Sequence, residues 1–355
     1  MTVDHQLDNL FGILEGLDNK PIVLRLGTRR SELATTQSRW VADRLLEALA
    51  VACPQRGFQV ELVEIVTSGD ISQAAGTPLT QLGGTGVFVS ALREAVLDGR
   101  CDFAVHSLKD LPNAQPEGLT LAAVPLREDP ADALIARNGL TFAQLPAGSV
   151  IGTGSPRRAA QLSALRPDLK ITGIRGNLGT RIGKVASGEL DAVVLAHSGL
   201  RRIGRHHEVT HLFGPEQMLP APGQGALAVE CRPESASLLA ALRLLDDRAS
   251  RACVLAERAL LARLEAGCAA PVGALATIEN QVLTLTAFAG SPDGVQTIRR
   301  TATARLLGDP QDEQVANHLG RALAEQMLDA GAALLIPVPD PLPAADEAVA
   351  REGDS

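Results

Sequence analysis

The chain has 355 residues, 45% hydrophobic and 21% charged, which is the composition of a globular protein with room for two or three cores. A net charge of −8 and 2% aromatic residues, with no Tyr and one Trp, argue against a nucleic-acid surface, which needs a basic field or stacking platforms. Five scattered cysteines without a C-x-x-C pair, no apolar run of about 18 residues and no basic-then-apolar leader predict free thiols in a reducing cytoplasm, with no membrane partner.

Residues 1–20 read as a flexible acidic leader. A strand at Val23–Leu26 runs into Gly27-Thr28-Arg29-Arg30, and Ser31 caps a helix to about Ala50. A strand at Val60–Val66 follows, then the Gly-rich turn Gly83–Gly86 and a helix from about Val87 to Leu97. Phe103–His106 is a buried strand that ends in the polar turn Ser107, Lys109, Asp110, closed by Pro112.

The same order recurs further on. Val150–Thr153 is a strand, Ser155-Pro156-Arg157-Arg158 opens a helix to Leu165, Lys170–Ile174 is a strand ending in Arg175-Gly176-Asn177, a helix runs through Arg181, and Ala192–Ala196 is the next strand. Two similar βαβαβ units predict two lobes with a cleft between them. The crossings Val124–Asp132 and Leu219–Ala226 make a hinge, and Leu227–Cys231 is a strand that can return to the first lobe. From about residue 245 a helix (Ala249–Ala266), three alternating strands and a helix (Asp312–Asp329) predict a small α+β domain. The tail from Pro337, rich in Pro and acid, is expected to be disordered.

Asp110 lies just past the carboxyl end of a strand, where open α/β sheets bind ligands. Helix starts are anion sites, because their first amides lack partners and the dipole end is positive. G-T-G-S-P-R-R is such a start, and Arg29, Arg175 and Arg181 occupy equivalent turns, so a shared carboxylate-binding cleft is expected. Nucleotide motifs are absent. His207–His211 fits H-E-x-x-H, but Gly204 and Gly214-Pro215 box it in and Val209 and Thr210 are β-branched, so no zinc site is expected. Cys268 follows a helix C-terminus, where the dipole raises a thiol pKa; it reads as a buried apolar residue or as a covalent attachment point on a Gly-Cys-Ala-Ala-Pro loop.

Together, H-S-L-K-D-L-P, G-T-G-S-P-R-R, I-R-G-N-L-G-T-R, L-P-A-P-G-Q-G-A and L-E-A-G-C-A-A-P resemble the hydroxymethylbilane synthase (porphobilinogen deaminase) family, in order from about residue 22 to about 336. The resemblance implies an α/β fold, with two type II periplasmic-binding-protein-like lobes (21–125 plus 226–244, and 126–225) joined by a hinge. It also implies a third domain (245–336) that carries the cofactor cysteine, beside the leader 1–20 and the tail 337–355. It implies a monomeric transferase that joins four porphobilinogen molecules head to tail, releasing ammonia each time and finally hydroxymethylbilane. The primer is a dipyrromethane held by Cys268. Asp110 matches the catalytic carboxylate. Lys109, Ser107, Thr153, Ser155, Arg157, Arg158, Arg175, Gly176, Asn177 and Arg181 are implied to hold the cofactor, and Arg29, Gln37, Phe88, Arg202 and Gln224 the substrate. Gln81 and Thr85 stand where the family often has lysine, and Ser68 where arginine is common, which removes positive charge from one side. The competing reading is a non-catalytic two-lobed binder of small carboxylates, which would predict a signal peptide and an ordinary residue at position 268.

Overall fold

The computed structural model describes residues 21–66, 86–267 and 270–336, without the side chains of residues 86–88. The expectations for the leader, the tail, Ser68, Gln81, Thr85, the Phe88 side chain and Cys268 lie outside the described residues.

The first stretch runs β1 (Ile22–Thr28), α1 (Glu32–Ala52), β2 (Phe58–Glu64), α2 (Gly86–Leu97), β3 (Phe103–Ser107), a single 3-10 turn at Leu108–Asp110, and β4 (Thr120–Ala123). Ser31 caps α1 by accepting from the Ala34 amide at 3.3 Å, and the stripe Val41, Leu45 and Leu49 is buried against the sheet. The second stretch runs β5 (Asp132–Ala136), β6 (Val150–Gly152), α3 (Pro156–Leu165), β7 (Lys170–Thr172), α4 (Leu178–Ala186), β8 (Ala192–Ala196), α5 (His197–Arg202) and β9 (His211–Leu212). Next come β10 (Leu227–Cys231), α6 (Ala236–Arg243), α7 (Arg248–Arg263), the hairpin strands β11 (Val272–Glu279), β12 (Val282–Gly290) and β13 (Thr297–Arg305), and α8 (Asp312–Asp329).

Among the described residues the strands form two five-stranded sheets of matching order, β2-β1-β3-β10-β4 and β7-β6-β8-β5-β9, and a three-stranded sheet β11-β12-β13. In each large sheet the first three strands are parallel, and the fourth runs against them. Those fourth strands are exchanged. β5 comes straight from the first lobe into the second sheet, and β10 comes from the second lobe back into the first. This is the two-lobed, type II periplasmic-binding-protein plan, with a small α+β domain attached. Each crossing ends in an interior strand, next to the sheet edge, so the hinge is anchored in both sheets.

The sequence reading treated Val124–Asp132 as crossing throughout; its last residue instead opens β5. The strand expected at Lys170–Ile174 stops at Thr172, before Gly173. The helix expected to reach Ala266 ends at Arg263, because Glu265 has a left-handed φ of 52°. His206–Glu208 is one 3-10 turn and His211 lies in β9, so the H-E-x-x-H residues do not share a helix face; Glu208 is paired with Arg205 instead. Among the described residues no cluster could hold a metal ion, and no helix is long and apolar enough to cross a membrane.

The third domain is joined to the hinge by buried charge. Glu257, on α7, is fully buried and accepts from the Arg127 guanidinium at 2.7 and 3.0 Å, from the Gly223 amide at 2.7 Å and from the Ala276 amide at 2.8 Å. One carboxylate thus touches both crossings and the third sheet. The two crossings are also pressed together at Gly225 (φ 90°), where any β-carbon would collide with the Glu128 carbonyl. Glu257→Ala strands a buried guanidinium and two amides, so denaturant unfolding should show a loss of about 3–5 kcal/mol; a variant as stable as the parent contradicts this assignment.

Candidate active site

A cavity of about 740 Å³ lies between the lobes. Its walls come from the starts of α1, α4 and α5, from the turn after β3 and from the second crossing. Six cations line it (Arg29, Lys109, Arg158, Arg175, Arg181 and Arg202) against two anions, Glu32 and Asp110. In a chain of net charge −8, positive charge has been gathered at this one place.

Asp110 ends the 3-10 turn and is exposed to the cavity. Ser107 accepts a hydrogen bond from the Gln37 amide at 3.0 Å, and both line the cleft. Lys109 is half-buried and donates to Gln224 Oε1 at 3.3 Å. Burial, with Arg158 and Arg157 nearby, pushes its ammonium down to about 8 although Asp110 opposes the shift.

The arginines have distinct settings. Arg175 is exposed in the cleft. Arg181 is steadied by donating from Nε to the Gly176 carbonyl at 2.7 Å, and burial lowers its pKa. Arg202 donates to the Gly225 carbonyl at 2.6 Å; burial lowers its pKa to about 10, opposed by Glu128, so it stays charged at neutral pH. Asn177 is used as the cap of α4, accepting from the Thr180 amide at 2.8 Å, while Gly176 (φ 108°) provides the turn before it. Arg29 also reaches the cavity wall.

Asp132 organises the rest. Fully buried at the start of β5, it accepts from Arg157 at 2.6 and 3.3 Å, from Arg158 at 2.8 Å and from the Gln224 amide at 3.0 Å. Burial alone would raise its pKa, but the two guanidiniums and Gln224 hold it well below the usual carboxylate range. Arg158 also donates to the Val194 carbonyl at 3.1 Å and still presents itself to the cavity.

The residues singled out in the sequence therefore divide. Asp110, Lys109, Ser107, Arg158, Arg175, Gly176, Asn177, Arg181, Arg29, Gln37 and Arg202 come together around the cavity. Arg157, Gln224, Thr153 and Ser155 do not line it. Arg157 is committed to Asp132 and to the Leu219 carbonyl at 2.7 Å, and Gln224 is fully buried between Lys109 and Asp132. Ser155 caps α3, and with Thr153 it lines a shallower hollow of about 420 Å³ that reaches Pro292 of the third domain. Sequence reasoning passed over Asp132, Arg127 and Glu257. The available signal was an acid set inside an apolar run, D-A-L-I-A and L-A-E-R-A-L, which demands a buried partner.

A bound carboxylate favours the charged form of Lys109. Capture of a polycarboxylate should therefore be strong below pH 8 and weaken as pH rises through about 8. Calorimetric titration at pH 7 and 9 should show that loss in the parent and not in Lys109→Met.

Comparison with known proteins agrees with this geometry. Residues 24–240 match the family model described as porphobilinogen deaminase, dipyromethane cofactor binding domain, and residues 251–329 match the porphobilinogen deaminase C-terminal domain. The porphobilinogen deaminase of Thermobifida fusca is 57% identical over 312 residues, covering 87% of this chain and 94% of that protein. Porphobilinogen deaminase 1 of Streptomyces avermitilis is 53% identical over 327 residues, covering 88% and 97%. Among solved structures, the VFT2 domain of BvgS from Bordetella pertussis aligns at 14% identity over 68% of this chain and 90% of that one, with a TM-score of 0.40, too loose to add to the strand order. With both family domains matched in sequence and relatives above half identity along nearly their whole length, the chain belongs to the porphobilinogen deaminase family of hydroxymethylbilane synthases.

Proposed function

We propose that the cleft condenses porphobilinogen head to tail, with Asp110 as the catalytic carboxylate and Cys268 as the attachment point of a dipyrromethane primer. The observation that carries this is the ring of six cations around one exposed aspartate at a strand end. The donor set fits the group: a dipyrromethane and its substrate carry acetate and propionate side chains, which guanidinium forks grip in bidentate fashion. Arg29, Arg158, Arg175, Arg181, Arg202 and Lys109 would hold those carboxylates. When bound, the primer supplies the nucleophilic pyrrole carbon.

The work of the chain's own residues follows from charge. Loss of ammonia from the substrate's aminomethyl group takes the C–N electron pair with it and leaves a cation on the ring. Asp110 stabilises that cation and takes up or returns a proton at its carboxylate oxygens. The surrounding arginines, repelled by the cation but held by substrate carboxylates, keep it beside Asp110. Arg158 can be aimed without collapsing onto Asp110 because Asp132 already holds it from behind. Thr153, Ser155, Arg157 and Gln224 act here by setting that frame, and Phe88 is proposed as a wall of the substrate site.

Four buried free thiols, Cys53, Cys101, Cys231 and Cys253, support a cytoplasmic setting, and the net charge of −8 supports the absence of a nucleic-acid partner.

The intact mass of the purified protein should exceed the chain mass by two pyrrole units, and Cys268→Ser should remove that increment; a bare chain that turns over porphobilinogen contradicts the tether. Asp110→Ala should leave the unfolding temperature unchanged and lower turnover about 10²–10⁴-fold. Unimpaired turnover there rejects the role of Asp110.

A further inference from the structure

The turn that carries Asp110 is held from several sides, among them by Lys109 donating to Gln224. The Leu111 amide closes it on the Leu108 carbonyl at 3.1 Å, the Leu108 amide donates to Ala226 at 3.0 Å, and Pro112 has no amide hydrogen to contribute. What grips the other side is a side chain from the third domain. Arg258, on α7, donates from Nη1 to the Leu111 carbonyl at 3.1 Å, and from Nη2 to the Pro112 carbonyl at 2.7 Å and the Asn113 carbonyl at 3.4 Å. These are the three residues that directly follow Asp110. One helical turn earlier, Val254 is fully buried in the cluster that holds Leu108 and Leu111, the two apolar residues flanking Lys109 and Asp110. The helix therefore meets the turn twice, with a methyl-bearing side chain beneath it and a guanidinium fork across its carbonyls. The same helix ends at Arg263, five residues past Arg258, and leads into the segment that holds Cys268.

We infer that Arg258 is a positioning residue for Asp110: by bridging the carbonyls after it, α7 fixes the turn that aims the carboxylate into the cavity. The inference rests on the role proposed above for Asp110. Arg258 does not line the cavity. It acts through the turn, where a displacement near 1 Å is enough to cost about a hundredfold in rate.

Arg251 provides the control. It lies two turns earlier on the same face of α7 and donates to lobe carbonyls too, Ala122 at 3.1 Å and Leu121 at 3.4 Å, but these belong to β4 and not to the catalytic turn. Primer-loaded Arg258→Met, Arg258→Lys and Arg251→Met are compared with the parent for primer content by intact mass, unfolding temperature, and kcat and KM for porphobilinogen. Arg258→Met is expected to keep its primer and a KM within about twofold while kcat falls about 10- to 100-fold. Arg258→Lys, which keeps the charge but not the fork, should fold like the parent and recover part of that loss. Arg251→Met should lose stability with kcat within about twofold.

Introduced into the Asp110→Asn background, Arg258→Met should change the residual rate less than about twofold, because its effect passes through the carboxylate. Parent-like kcat in both Arg258 variants overturns the inference, as does an equal fall in kcat in Arg251→Met or full additivity with Asp110→Asn. Parent-like kcat in Asp110→Asn itself rejects instead the catalytic role on which the inference stands, so the two failures are told apart.

Discussion

The molecule is built around a buried carboxylate facing two guanidiniums. Arg157 and Arg158 are adjacent in sequence and both buried, and two like charges a few ångströms apart repel by about 4 kcal/mol at an effective dielectric near 20. They can share that space because Asp132 sits between them and hydrogen-bonds to each. The three charges leave a surplus of one positive charge, and Arg158 delivers it to the cavity. Gln224 passes the same restraint on to Lys109 and so to the turn after β3. The hinge, α3 of the second lobe and the Asp110 turn of the first lobe are thereby tied through one residue at the start of a strand.

The third domain contributes to this frame. Along one face of α7, at helical spacing, Ser250 accepts from the Arg127 amide, Val254 fills the cluster under the Asp110 turn, and Glu257 binds Arg127, Gly223 and Ala276. Its other side packs on α8 so closely that at Gly320 any β-carbon would strike the Ala256 carbonyl. A helix held this firmly on both faces cannot slide, so a loop at its end has a fixed origin relative to both lobes.

Much of this was legible in the sequence because it is written locally. Ser155, Pro156 and the apolar pattern set the limits of α3 at Pro156–Leu165, and the polar residues after Phe103–His106 announced the turn with Asp110. The return of Leu227–Cys231 to the first sheet was also readable, from an apolar run directly after a Gly/Pro-rich crossing. What stayed hidden was direction. Arg157 and Arg158 are neighbours on one helix turn, yet one points into the hinge and the other reaches the cleft. That choice is made by Asp132, 25 residues earlier and brought near only by the sheet. For the same reason the sequence does not show that Gln224 is buried between Lys109 and Asp132. β5 escaped notice because a strand that opens on a charged residue inside a hinge does not look like one until its partners are known.

The exchange of β5 and β10 also bears on the order in which the protein can be made. All five strands of the second sheet lie in one unbroken stretch, from Asp132 to Leu212. The first sheet is different: among the described residues β4 pairs with β10 alone, so it has no neighbour until the chain has been extended through Cys231. A chain leaving the ribosome amino end first can therefore finish its middle before its beginning. Meanwhile β3, which leads into the Asp110 turn, waits with one edge bare through roughly a hundred residues of synthesis, the interval in which a nascent chain is most exposed to mispairing.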